Sequence, residues 1–194
     1  MMKKLFARLL LLLVLSELLL VLISWLLSAT QTEGVRTLLS SEGLRWLFGQ
    51  FTVILLKPQL IWLLLLSMAY GSLWHSCLFR PSQTSFRRQS ALRLSAVIFM
   101  VQVAGVALLI AMPQAVLLSA TGTFWPSPFS RALVPFAAFI IINTSVCYGL
   151  LSRTFTSVAD IYGSLKWGLS QAAPLIILYL IVVTIYESCR FVFI

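Results

Sequence analysis

Long apolar runs separated by short polar stretches set the pattern of this chain. A membrane-spanning helix needs about 20 consecutive apolar residues. Four runs qualify clearly, 5–27, 59–79, 92–112 and 132–152, and a fifth covers 173–192. Prolines punctuate them: Pro58 and Pro174 are read as helix starts, Pro113 follows a helix end, and Pro135 falls in the first turn of its helix. A proline at a helix start gives up an N–H that has no intrahelical partner anyway.

Two other stretches are expected to lie at the membrane interface. In 38–56, "LLSSEGLRWLFGQFTVILL", the apolar run stops at Lys57-Pro58 and is too short to span. Ser41 is read as capping a helix that begins near Glu42, with Arg45 and Trp46 at headgroup depth. In 157–170, Val158, Ile161, Tyr162, Leu165 and Leu169 share one helical face, and Ser157 with Asp160 three residues later has the form of a capping box. The uncharged 113–130 stretch, with Phe124, Trp125 and Phe129, is expected to rest against the interface. These elements predict an all-α polytopic integral membrane protein, with residues 1–194 forming a single membrane domain of about five spanning helices.

Composition agrees. Hydrophobic residues make up 60% of the chain and charged residues 10%, against roughly a quarter charged in a soluble domain. The lipid bilayer is therefore the first partner. The net charge of +9 does not form a basic stripe on a soluble module, so no nucleic acid is expected. The N-terminal run has a basic start like a secretory leader, but it exceeds 20 residues, holds Glu17 at its middle and lacks a small-residue cleavage site. It is read as a retained first helix. With the N-terminus inside, Lys3, Lys4, Arg8, Arg80, Arg87, Arg88, Arg93, Arg153 and Lys166 fall on the inner side, and Arg36, Arg45, Lys57, Arg131 and Arg190 on the outer. That excess favours a cytoplasmic N-terminus, and an odd number of spans then puts the C-terminus on the opposite side.

Candidate chemistry is sparse. Cys77, Cys147 and Cys189 lie within or at the ends of apolar runs with no CxxC or Cys/His spacing, and His75 is the one histidine, so no metal and no cofactor is expected. With no P-loop, GxSxG or HExxH pattern, an enzyme is not expected either. His75 is read as a packing residue. The polar residues inside the spans are more informative. Glu17 lies about 12 residues, or roughly 18 Å, into the first helix, where a carboxylate must face protein or water, or carry a proton. The same depth in the other spans holds Ser67, Gln102, Asn143 with Thr144, and Thr184. The five positions Glu17, Ser67, Gln102, Asn143 and Thr184 form a candidate mid-membrane polar layer, either a proton-linked site or hydrogen-bonding glue between helices. The basic stretch 80–93 is read as the positive-inside signal, with an anionic-lipid or acidic-partner contact as the alternative.

Two patches resemble the p-aminobenzoyl-glutamate transporter (AbgT) family. "VLISWLLSATQTEGVRTLLSSEGLRWLF" is similar to the end of that family's first helix and the segment before its second. "SATGTFWPSPFSRALVPFAAFIIINTSVCYGLLSRTFTSVADIYGSLKWGLSQAAPLIILYLIVV" resembles a later region, with Ser127, Pro128, Phe129, Pro135, Tyr148, Gly149, Asp160 and Pro174 at matching positions. The resemblance implies a strongly reduced form lacking the re-entrant hairpin regions that hold substrate and coupling ion, so no family binding residue carries over. It implies a bacterial inner-membrane location with the C-terminus periplasmic. It also implies one of two roles: a non-transporting structural or accessory subunit, working with other membrane-protein subunits or as a homo-oligomer, or a minimal oligomeric secondary transporter of p-aminobenzoyl-glutamate-like small organic anions.

Overall fold

The computed structural model describes residues 2–30, 34–78, 86–111 and 128–193. Among these residues the chain is all-α: α1 (Met2–Ala29), α2 (Ser41–Leu55), α3 (Pro58–His75), α4 (Phe86–Ala111), α5 (Pro128–Leu151) and α6 (Val158–Phe193). Five helical stretches are long and apolar enough to cross a membrane, α2 and α3 together forming one of them. The expected polytopic architecture is therefore the one the chain adopts. Pro113, Phe124 and Trp125 lie outside the described residues.

Helix boundaries differ from the sequence reading in physically instructive ways. Ser40, not Ser41, caps α2: its extended backbone leaves Oγ free to accept the Gly43 N–H at 3.0 Å. Leu56 and Lys57 lie between α2 and α3. Pro58 forces this break, because its ring disfavours a helical residue before it. α4 starts six residues before the expected 92, taking Arg87 and Arg88 into its first turn. Pro135 lies well inside α5, which begins at Pro128. Pro174 does not start a helix: 158–193 is one continuous helix with Pro174 near its middle. Other backbone pairs carry the helix past the single bond that a proline removes.

The described chain divides into two compact units. Unit 1 comprises 1–61 and 173–194. Within it, the link between α1 and α2 is tied at both sides. Ser24 Oγ accepts the Leu38 N–H at 3.4 Å, and the Arg36 N–H donates to the Val192 carbonyl at 3.0 Å. Gly43 presses on that link so closely that a Cβ there would meet the Leu38 carbonyl oxygen at 2.6 Å. Trp46 stacks on Phe191, ring centroids 4.5 Å apart, seating α2 against the end of α6.

Unit 2 covers 62–172. α3 and α6 cross on small residues, Ser67 and Gly71 against Ser164 and Gly168, with Gly71 so near that a Cβ would lie 2.7 Å from Gly168 Cα. Lipid tails are as apolar as leucine, so helices gain little by burying large side chains against one another, and close backbone approach supplies the packing. The inward face of α6 in this unit is accordingly Ser164, Gly168 and Ala172. Val158 and Tyr162, on the apolar face identified in the sequence, are 81% and 67% exposed. Buried serines need no partner helix here: Ser67, Ser72, Ser95 and Ser164 each donate to a carbonyl three residues back in their own helix. The start of α6 carries a reciprocal cap. Ser157 N–H donates to Asp160 Oδ2 at 3.0 Å, and Asp160 N–H to Ser157 Oγ at 3.3 Å.

Arg88 holds three helices of this unit together. Its Nη2 donates to the Cys77 carbonyl at the end of α3 (2.7 Å), and its Nε to the hydroxyl of fully buried Tyr148 on α5 (2.8 Å). Charge-assisted bonds of this kind contribute about 1.5–3 kcal/mol each. Arg88→Ala is therefore expected to destabilise the protein by about 2 kcal/mol, read as a lowered unfolding midpoint in detergent. Arg88→Lys restores little, because an ammonium cannot present the planar fork that reaches both oxygens.

Candidate functional site

Two contacts of charged groups in unit 1 lie near the end of α6. Lys57, held at the α2–α3 corner by Pro58, pairs with Glu187 on α6. Its ammonium also lies 5.6 Å from the centroid of the Tyr186 ring, a cation–π contact. The Glu187 side chain is 12% exposed and that of Lys57 31%. The next residue, Ser188, is buried and donates from Oγ to Glu17 Oε1 on α1 at 2.8 Å. Glu17 Oε2 is buried without a hydrogen-bond partner. Successive residues of α6 thus reach two neighbours: Glu187 to the corner beyond α2, Ser188 to α1. Consecutive helix positions diverge by about 100°, so adjacent residues can engage neighbours on different sides.

The five positions of the proposed polar layer have separate fates. Glu17 bonds to another helix, through Ser188 rather than Thr184 one turn earlier. Thr184 donates to its own helix at the Leu180 carbonyl (2.8 Å), and Ser67 to Leu64 (2.7 Å). Asn143 Oδ1 accepts from Cys147 Sγ one turn on, at 3.8 Å. Gln102 Oε1 is buried without a partner, as are the hydroxyls of Thr144, Ser145 and Tyr179. His75 Nδ1 lies 3.2 Å from the Gly71 carbonyl, and its ring meets Trp167 edge-on at 4.8 Å, a packing arrangement. Among the described residues no group of three or more His, Cys, Asp or Glu side chains could hold a metal ion.

Glu187 is the residue that sequence reasoning passed over. A signal was available: the chain has five acids, and Glu187 is one of two that fall inside an apolar run. An ionisable residue in such a run needs a partner. Lys57, counted only as an orientation signal, stands two residues before the 59–79 run.

Against known families, the model of the AbgT putative transporter family matches residues 80–190, more than half of the chain. The chain belongs to the AbgT family. Its fold is also that of a solved member of the transporter class: the YdaH transporter of Alcanivorax borkumensis superposes with a TM-score of 0.74, covering 93% of this chain and 70% of that one at 14% identity. A likeness that remote in sequence carries the fold alone. No curated protein matched the chain. As an AbgT-family protein with membrane-spanning helices, it is an integral membrane, transporter-like protein in contact with the lipid bilayer.

Proposed function

We propose that this AbgT-family chain is a non-transporting membrane subunit, a helical scaffold that assembles with other membrane-protein chains or with copies of itself. The observation that carries this reading is the use made of its intramembrane ionisable groups. Lys57 and Glu187 are bound to each other, and Glu17 to Ser188, as joints between helices. Secondary transporters instead place ligands at discontinuous helices, where freed backbone groups meet the cargo. Among the described residues α6 stays helical through Pro174. Affinity purification of the tagged chain from native membranes is expected to bring down a stoichiometric membrane protein or a defined homo-oligomer. Recovery as a lone monomer would count against the scaffold reading.

A second reading, a minimal oligomeric transporter of p-aminobenzoyl-glutamate-like anions in a bacterial inner membrane, draws on the unpartnered Glu17 Oε2. Buried polar atoms without partners are uncommon and fit a site that engages a transient ligand. Liposomes holding the purified protein are expected to show no saturable uptake of p-aminobenzoyl-glutamate under a proton or sodium gradient. Glu17→Gln keeps an acceptor for Ser188, so its unfolding midpoint should stay within about 1 kcal/mol of the parent. Gradient-driven uptake that is abolished in Glu17→Gln would replace the scaffold reading with the transporter.

A further inference from the structure

One end of unit 2 gathers basic side chains beyond what its packing uses. The close of α3, the start of α4 and the close of α5 meet there. Thr154 Oγ1 donates to the Ser76 carbonyl at 3.4 Å, Arg88 reaches Cys77 and Tyr148, and Arg87 Nε donates to the Leu151 carbonyl at 3.2 Å. Arg153, exposed and in the left-handed region at φ 59°, follows two residues after Leu151. Three arginines therefore gather around the last turn of α5. Residues 62–172 contain seven basic residues and one acid, Asp160. Its carboxylate is occupied by the Thr156 and Ser157 N–H groups and the Thr156 hydroxyl. The carbonyls at the helix ends offset part of the positive charge. A guanidinium, though, carries five N–H donors, and one carbonyl takes up only one of them on Arg87.

The depth of this end is marked independently. Trp167 is stacked with Tyr70 and with Trp74, which are tilted to each other by 33°; the three centroids lie 5.9–6.2 Å apart, so they form a triangular patch, not a column. Tyr70 and Trp74 are about half exposed. Trp74 stands two residues before Ser76, the residue that Thr154 binds. Tryptophan and tyrosine concentrate at headgroup level in a bilayer. Arg87 and Arg153 therefore sit at headgroup depth, and among the described residues neither has an ion pair with a carboxylate.

We propose that this end of unit 2, through Arg87 and Arg153 beside the Trp74–Trp167 patch, binds the phosphate headgroups of anionic phospholipids. The patch packs on the glycerol and upper acyl region, and the arginines contact the phosphate. Each basic residue near an anionic surface contributes enough to change affinity about fivefold.

The test uses the full chain, delipidated in neutral detergent and titrated with cardiolipin, phosphatidylglycerol or phosphatidylcholine, with bound lipid counted by native mass spectrometry. Cardiolipin and phosphatidylglycerol are expected to bind and phosphatidylcholine to be lost. Arg153→Gln should weaken anionic-lipid binding about fivefold, and Arg87→Gln with Arg153→Gln about thirtyfold. Arg45→Gln in α2 removes the same charge elsewhere and should leave binding unchanged. If the double variant fails to fold, Arg153→Gln alone decides, because that side chain is exposed. Equal retention of phosphatidylcholine and cardiolipin, or unchanged binding in Arg153→Gln, would overturn the proposal. So would full displacement of the lipid by millimolar inorganic phosphate, which would make the site one for a free anion.

Discussion

Gly168→Val is expected to abolish recovery of folded, monodisperse protein. A Cβ at position 168 would sit well inside van der Waals contact distance of the Ser67 carbonyl oxygen and 2.9 Å from both Gly71 Cα and Gly71 N. These atoms are backbone, so no rotamer change relieves the clash, and α3 and α6 must part. Parting them also separates Tyr70 and Trp74 from Trp167. Overpacking usually costs about 1–3 kcal/mol, and a backbone-to-backbone clash belongs at or beyond the top of that range. Gly168→Ala should already lower the unfolding midpoint substantially. Gly105→Ala and Gly163→Ala are the internal controls, since nothing lies within 4 Å of a Cβ at either position. Both should be neutral or slightly stabilising, by the helix propensity of alanine over glycine. A Gly168→Val protein as stable as these controls would mean that α3 and α6 do not cross on their backbones.

Lys57→Ala should give the second-largest loss, about 2–3 kcal/mol. Removing one partner of a buried pair leaves the other charge uncompensated, a cost of about 3–5 kcal/mol in full burial. The 31% exposure of the Lys57 side chain lowers that figure. Glu187→Gln should cost less than Lys57→Ala, because a neutral amide still accepts the lysine hydrogen bond while the remaining ammonium keeps its contact with Tyr186. The combination Lys57→Met with Glu187→Leu is expected to recover most of the stability, since apolar residues replace a buried pair at little net cost. Chemical unfolding of the parent, Lys57→Met, Glu187→Leu and the combined variant gives the coupling energy directly. A coupling near zero would show that the pair contributes nothing to the joint.

Much of this architecture was readable because lipid imposes a simple rule. Every backbone polar group in the bilayer must be satisfied within the chain, so a sufficiently long apolar run has to be helical. That rule, with Pro58 as a break, locates α1, α3, α4, α5 and the second half of α6 without any tertiary information. The family was legible for a different reason: the resemblance over the Ser127-Pro128-Phe129 to Pro174 region falls within the residues 80–190 that the family matches. Ser157 and Asp160 were legible as a cap because a capping box is made within four residues.

Side-chain partners were not legible, because they depend on which helix faces which. Depth counting put Thr184 level with Glu17, whereas Ser188, one turn further along α6, has the angle to reach it. The same one-turn uncertainty hid Glu187 opposite Lys57, 130 residues away in sequence. The apolar face of 158–169 did not show where α6 packs: Val158 and Tyr162 stay exposed, and Ser164, Gly168 and Ala172 are buried. In a membrane the solvent is itself apolar, so hydrophobic periodicity loses its power to point inward. The sequence alone determined the class, the helices and the family, because those follow from local composition and the chemistry of the bilayer. Tertiary structure alone decided which small residues let α3 and α6 touch, which acid meets Lys57, and which arginines gather at one end of unit 2. Those outcomes are set by the rotation and register of packed helices, which composition does not encode.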